Sequence, residues 1–234
     1  MEVLGGMGIL KPHGKGRLLF KVNQWAANAP KPVKMANRIL ILFAHPALEK
    51  SRVQKAMLRH ARQVPGVTIT DLYQQYPDLD IDVAREQEQL LRHDLIIFQH
   101  PFYWYSSPAI IKQWMDLVLE HGWAYGSKGN QLAGKYLLNA ISAGGSEAAY
   151  HPEGRNRFTI KQFLAPFDQT ARLCQMHYLA PFAVHGTHRM LPAQIEEVAT
   201  IYSALLAALV QGSIPLSTLA HPENLLNYPF PIPV

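Results

Sequence analysis

ILILFAHP, residues 39–46, decides the architecture. Its run of six apolar side chains lacks the polar alternation of a half-wet strand, so it reads as a strand buried on both faces. His45 and Pro46 close it. Downstream, a helix is predicted over residues 52–63, with Ser51 as its cap. Pro65 and Gly66 turn the chain, and residues 67–72 alternate Val, Ile and Leu with Thr and Asp as a second strand. A charged helix follows Ile81 and Asp82 to about residue 92. DLIIFQ, residues 94–99, is a third strand, and residues 100–106 form a loop. Ser107 reads as an N-cap and Pro108 as the first residue of a helix through residues 109–120. Residues 136–142 make a fourth strand, 160–174 a helix, 176–184 a fifth strand interrupted by Pro181, and 192–210 a last helix.

Strand followed by helix, five times over, is the signature of an α/β fold: a five-stranded parallel sheet with helices on both faces and right-handed crossovers. Of the 234 residues, 48% are hydrophobic and 17% charged, which argues for a packed core and against disorder of the whole chain. No uninterrupted apolar run reaches the ~18 residues of a membrane span, and Thr200, Tyr202 and Ser203 break the longest stretch. The single cysteine, Cys174, excludes an internal disulfide framework, fits a reducing cytoplasm and reads as a small buried hydrophobe.

The formal charge of +5 suggests a nucleic-acid binder until it is located. Six basic residues and Glu2 lie in residues 1–34, which accounts for all of it; residues 35–234 hold 16 basic and 16 acidic residues. The folded body therefore has no electrostatic case for a polyanion partner. Residues 1–37, rich in Gly and Pro, are expected outside the fold. They read as an upstream extension with Met35 as the working start, or as a basic arm for a membrane surface or a partner. They lack the order of a secretory signal. Residues 38–212 are expected to form the domain, and 213–234 a Pro-containing extended tail, open to packing on a partner subunit.

In parallel sheets, ligands bind beyond the carboxyl ends of the strands. Three loops there carry chemistry. Residues 45–52 lead into a helix N-terminus and bring His45, Ser51 and Arg52, which suits a phosphate or an ordinary capped turn. Residues 100–106 hold four consecutive aromatics, Phe102, Tyr103, Trp104 and Tyr105, suited to a flat aromatic ligand or to a dimer contact. Residues 142–150 hold Gly144 and Gly145, which permit close backbone approach to a ligand or make a flexible loop. No residue pattern calls for a metal.

Six stretches carry a resemblance: ILILFAHP (39–46), DLYQQYPDLDID (71–82), DLIIFQHPFYWYSSPAIIKQWMD (94–116), HGWAYG (121–126), LAGK (132–135) and SAGGSEAAY (142–150). Across residues 38–209 the chain resembles the NAD(P)H quinone oxidoreductases of the flavodoxin-like superfamily. Within them it is similar to the ancillary proteins of glutathione-regulated potassium-efflux antiporters. The resemblance implies a flavodoxin-like sheet holding a flavin, FMN in preference to FAD, with NAD(P)H as co-substrate. His45, Ser51, Arg52 and Val53 would surround the phosphate. Pro101, Phe102, Tyr103, Trp104 and Tyr105 would line the isoalloxazine ring, and Ser142, Ala143, Gly144, Gly145 and Tyr150 its pyrimidine edge.

Trp123 and Tyr125 would belong to an acceptor pocket completed across a homodimer. The implied reaction is a two-electron, ping-pong hydride transfer to a quinone. In it Tyr150, Gly144 and Gly145 stabilise charge developing at N1–O2 of the flavin. The resemblance also implies a cytoplasmic protein, peripheral at the inner membrane only through a partner: the cytosolic domain of an antiporter, which it would regulate with or without turnover. Mammalian relatives place a histidine six residues after the tyrosine; here that position is Asn156, and His151, directly after Tyr150, reads as a surface residue.

Overall fold

The computed structural model describes residues 37–229. The expectations for the N-terminal extension and for Met35 lie outside the described residues, as do Pro231 and Pro233 of the tail. The elements that position the site are β1 Ile39–Phe43, α1 Val53–Ala61, β2 Val67–Asp71, α2 Val83–Arg92, β3 Leu95–Pro101, α3 Ala109–Val118, β4 Tyr136–Ser142, α4 Ile160–Phe163, α5 Ala165–Leu173, β5 His177–Tyr178, β6 Phe182–Val184 and α6 Pro192–Val210. The sheet runs β2-β1-β3-β4-β5, all parallel, and β6 also pairs with β4. The chain leaves β1 towards one edge and returns to build the other. The crevice beyond β1 and β3 is thus the switch point at which such sheets bind ligands.

Every side chain of β1 is fully buried, which explains its unbroken apolar run. Ile39, Ile41 and Phe43 join α1 and α6 on one side; Leu40 and Leu42 join α3 and α5 on the other. By length and composition α6 could cross a membrane. Instead Val198, Tyr202, Leu205 and Leu209 bury one face of it in the core beside α1. Cys174 is buried as expected, and loss of water pushes its thiol up to about 11.

Prolines account for three departures from the predicted elements. The helix predicted over residues 160–174 divides into α4 and α5 because Pro166 enters its second turn, where it has no N–H to give and its ring crowds the carbonyl four residues back. The fifth strand divides into β5 and β6 around Pro181. The helix expected to be capped by Ser107 starts at Ala109, with Pro108 in the N-cap place at an extended ψ of 149°.

Residues 213–229 do not run as an extended arm. Leu216, Leu219 and Leu225 are buried in the same cluster as α1 and α6. Asn224 completes the link: its Oδ1 accepts from Ala183 N–H at 2.9 Å and its Nδ2 donates to Ala183 C=O at 2.7 Å. A strand edge that would otherwise be unpaired is satisfied by one side chain.

At the carboxyl end of the sheet lies a buried polar chain. The Tyr202 hydroxyl donates to Gln99 Oε1 at 3.1 Å, and Gln99 Nε2 donates to Gln54 Oε1 at 3.0 Å. Gln54 Nε2 in turn donates to the His100 carbonyl at 2.9 Å and to Ser142 Oγ at 3.1 Å. Gln54 and Gln99 are wholly buried, so each bond lost leaves a dry, unpaired polar atom. Gln54→Leu is expected to lower the urea-unfolding free energy by about 2–3 kcal/mol. Lys55→Ala, one residue away on the wet face, is expected to change it by less than ~0.5 kcal/mol.

Candidate functional site

The switch-point crevice is one groove in two parts. The narrower part, about 300 Å³, lies over the α1 N-terminus between His45, Ser51, Arg52, Val53, Pro101, Tyr103 and Ser142. The broader part, about 840 Å³, lies between Trp104, Tyr105, Gly145, Tyr150, Arg155 and Arg189. Phe102, Gly144 and His188 line both parts and join them.

A single turn of 3₁₀ helix, Leu48–Lys50, leads into α1 in the narrow part. Ser51 Oγ accepts from Gln54 N–H at 3.2 Å, so it caps the helix although the first helical residue is Val53, one later than expected. Among the described residues, the backbone N–H groups of Arg52 and Val53 meet no acceptor. They are orphan donors at the positive end of a helix dipole. His45 is buried, and loss of water lowers its pKa despite Glu49 nearby. Its Nδ1 accepts from Ala47 N–H at 3.1 Å, which leaves the proton of the neutral ring on Nε2 as a donor. The part therefore offers hydrogen-bond donors, and with Lys50 and Arg52 it suits an anion.

The broad part is walled by a turn that nothing in the sequence signals. Tyr103 and Ser106 exchange two backbone hydrogen bonds, of 3.1 and 2.9 Å, across Trp104 and Tyr105. Those two residues have φ of 47° and 64°. Positive φ at both central positions marks a type I′ hairpin turn, which ordinarily takes Asn-Gly. An aromatic pair there is strained by about 1 kcal/mol or more per residue. Packing maintains it: Tyr105 stacks on Phe163 at 5.1 Å and meets Phe102 edge-on at 6.5 Å. Trp104 is left 93% exposed.

Opposite stands the loop after β4. A Cβ on Gly144 would fall 2.4 Å from His188 Nε2, and one on Gly145 would fall 3.0 Å from Tyr150 Cε2, so both side chains can lie close over bare backbone. Among the described residues, the N–H groups of Gly144 and Gly145 have no acceptor and remain available. Burial, with Tyr105 beside it, raises the Tyr150 pKa, so its hydroxyl stays a neutral donor. The His185 ring lies 5.4 Å from that of Tyr150, and its buried Nδ1 has no hydrogen-bond partner among the described residues. Beneath the aromatic loop, His100 is wholly buried and its pKa is lowered to about 4. Its Nδ1 lies 2.9 Å from the Pro101 carbonyl, and its Nε2 3.1 Å from Asn139 Nδ2.

Residues 37–206 match the family model described as a flavodoxin-like fold. The chain belongs to the flavodoxin-like family. It is 44% identical, over 171 residues, to the glutathione-regulated potassium-efflux system ancillary protein KefG of Pectobacterium carotovorum, covering 73% of this chain and 93% of that one. Among solved structures it is similar to general stress protein 14 of Treponema denticola in complex with FMN (39% identity, TM-score 0.70, covering 74% of this chain and 99% of that one). A second is an NADPH-quinone reductase from P. pentosaceus (33% identity, TM-score 0.65, covering 72% and 96%).

On this flavodoxin-like frame, the groove brings together nearly all the residues singled out from sequence: His45, Ser51, Arg52, Val53, Pro101, Phe102, Tyr103, Trp104, Tyr105, Ser142, Gly144, Gly145 and Tyr150. Ala143 does not line it; its N–H donates to Val184 C=O at 2.8 Å and its side chain is buried. Trp123 and Tyr125 do not line it either; they are half-buried against the cluster holding Trp114. His151 is exposed, as expected.

The sequence reading missed the loop after β6, which supplies Gly186, His188 and Arg189, and also missed Arg155. The first loop could have been found, since it follows a strand of the same parallel sheet. Arg155 could not, because only the folding back of residues 150–157 brings it to the groove.

Two outcomes follow. The unfolded chain binds a proton at a free histidine near pH 6.5, whereas folded His100 does so only near pH 4. Its contribution to stability is therefore full above about pH 6.5 and lost as pH falls towards 4. It amounts to about 2 kcal/mol between pH 7 and pH 5. Urea unfolding at the two pH values is expected to show this slope, and His100→Gln to flatten it. Replacing the strained turn by Trp104→Asn with Tyr105→Gly is expected to raise the Tm by a few degrees, relief of about 1 kcal/mol.

Proposed function

We propose that the chain is an FMN-dependent NAD(P)H:quinone oxidoreductase, an NAD(P)H dehydrogenase (quinone). The observation that carries this reading is the continuity of the groove. Free donors at the α1 N-terminus and an aromatic wall lie within one cleft, as a riboflavin phosphate would need. The residues present fit the group. Arg52 and Val53 N–H, Ser51 and His45 would hold its phosphate, with the Phe102–Tyr105 wall against the ring. Gly144 and Gly145 leave the bare backbone that close approach of a planar edge requires.

FMN, when bound, accepts and returns a hydride. The chain's own part is to orient it, exclude water and meet charge. Gly144 and Gly145 N–H and the neutral Tyr150 hydroxyl are donors placed at one edge, where negative charge would develop. Trp123 and Tyr125 would serve an acceptor pocket only across a homodimer, since they stand off the groove of their own chain.

Protein reconstituted with FMN is expected to turn yellow and to reduce benzoquinone with NAD(P)H, giving the parallel double-reciprocal lines of a ping-pong reaction. Gly145→Val, which crowds Tyr150, is expected to weaken FMN binding at least about tenfold by fluorescence titration. Inert reconstituted protein would remove the enzyme reading.

A second reading is favoured by the name of the Pectobacterium relative. In it the chain is an ancillary subunit on the cytoplasmic side of a potassium-efflux antiporter, brought to the inner membrane by that partner. Turnover would then be a second role or absent. Potassium efflux from vesicles holding the genomically neighbouring antiporter, with and without this protein, tests it; no activation and no co-purification would count against it.

A further inference from the structure

Fourteen residues line the broad part of the groove, and its charged side chains are Arg155 and Arg189. No aspartate or glutamate lines it. Both arginines are exposed and, among the described residues, neither has a hydrogen-bonding or ion-pair partner for its guanidinium. Arg38, Arg59, Arg92 and Arg172, on other faces, each pair with a carboxylate. Outside residues 1–34 the chain is neutral, so a cleft with cations alone is a local departure.

The backbone that carries each arginine is anchored to the same loop, residues 144–150. Arg155 follows Gly154, where a Cβ would fall 2.4 Å from the Ala148 carbonyl; only glycine lets this segment lie so close to the 147–149 turn. Asn156 N–H then donates to Ala149 C=O at 2.9 Å. Arg189 closes a turn on Gly186 C=O at 3.0 Å, and Gly186 N–H is pinned to Gly145 C=O at 2.8 Å. The backbone thus sets both side chains at the rim of the groove, beyond the Gly144–Tyr150 edge.

We propose that Arg155 and Arg189 bind the 2′-phosphate of the electron donor and make this chain selective for NADPH over NADH. The proposal rests on the oxidoreductase reading above. In Rossmann dinucleotide sites an acid meets the ribose 2′-hydroxyl of NADH and an arginine the added phosphate of NADPH, and the same charge chemistry applies to a groove of another fold. Here the acid is missing from the lining and two unpaired planar forks are present. The FMN phosphate has its own donors at the α1 N-terminus in the narrow part, and the pyrophosphate, common to NADH and NADPH, cannot discriminate between them.

Two measurements test it, one of them independent of turnover. In calorimetric titrations of FMN-loaded protein, adenosine 2′,5′-bisphosphate is expected to bind about tenfold or more tightly than 5′-AMP. Arg155→Ala and Arg189→Ala are each expected to erase most of that difference. Steady-state assays are expected to give a kcat/KM about tenfold or more higher for NADPH than for NADH, with the ratio falling towards one in each variant, mainly through KM. Both variants change exposed side chains, and circular dichroism checks their fold.

Arginine-dependent preference for the bisphosphate in a protein inert towards quinones supports the 2′-phosphate site while the oxidoreductase reading falls. Turnover with equal NADH and NADPH efficiency, and no preference for the bisphosphate, overturns the proposal while that reading stands. Equal losses with both donors, or weakened FMN binding in the variants, also overturn it, because the arginines would then serve the shared pyrophosphate or the flavin.

Discussion

The Gln54 side chain holds the working end of this molecule together. It reaches from the first turn of α1 to the ends of β3 and β4, where, itself wholly buried, it bonds Gln99, the His100 carbonyl and Ser142 at the floor of the groove. Three elements are thereby tied at the points where they give way to site loops. The phosphate-type turn, the aromatic turn and the Gly144–Gly145 loop keep a common origin as a result. A hydrophobic contact would hold the layers together but would tolerate sliding. An amide with both its atoms satisfied at fixed angles does not, since a small displacement strands a polar group in a dry interior.

Upon that rigid floor the chain places features that cost stability. Trp104 and Tyr105 occupy a turn conformation that suits neither, and stacking on Phe163 together with the Tyr103–Ser106 hydrogen bonds offsets the strain. His100 and His45 are kept neutral by burial. Among the described residues, Arg155 and Arg189 have no ion-pair partner. A strained turn, the neutral His45 and two exposed arginines along one groove, over the buried His100, are what a pre-organised site requires, since a ligand then meets donors that need no rearrangement.

Much of the fold could be read locally. β1 reveals itself because burial on both faces demands an unbroken apolar run, and α6 because its length exceeds that of any buried strand. The larger departures involve prolines, at 108, 166 and 181, where a missing N–H changes the hydrogen-bond pattern but nearby residues decide how. The tail read as an extended arm because its five prolines mask leucines spaced to fill a gap beside α1 and α6, a gap that only the assembled layers create.

By itself the sequence determined the layered parallel sheet, the end of it that bears a site, and the three loops that begin the groove. These follow from side-chain period and from the direction of the strands, both properties of contiguous residues. Tertiary structure alone decided that Trp104 and Tyr105 turn with positive φ, that Gln54 faces inward, that Trp123 and Tyr125 stand aside, and that Arg155, His188 and Arg189 close the cleft. Each of those depends on what meets a residue across the fold from segments far away in the chain, and a linear pattern holds no record of such meetings.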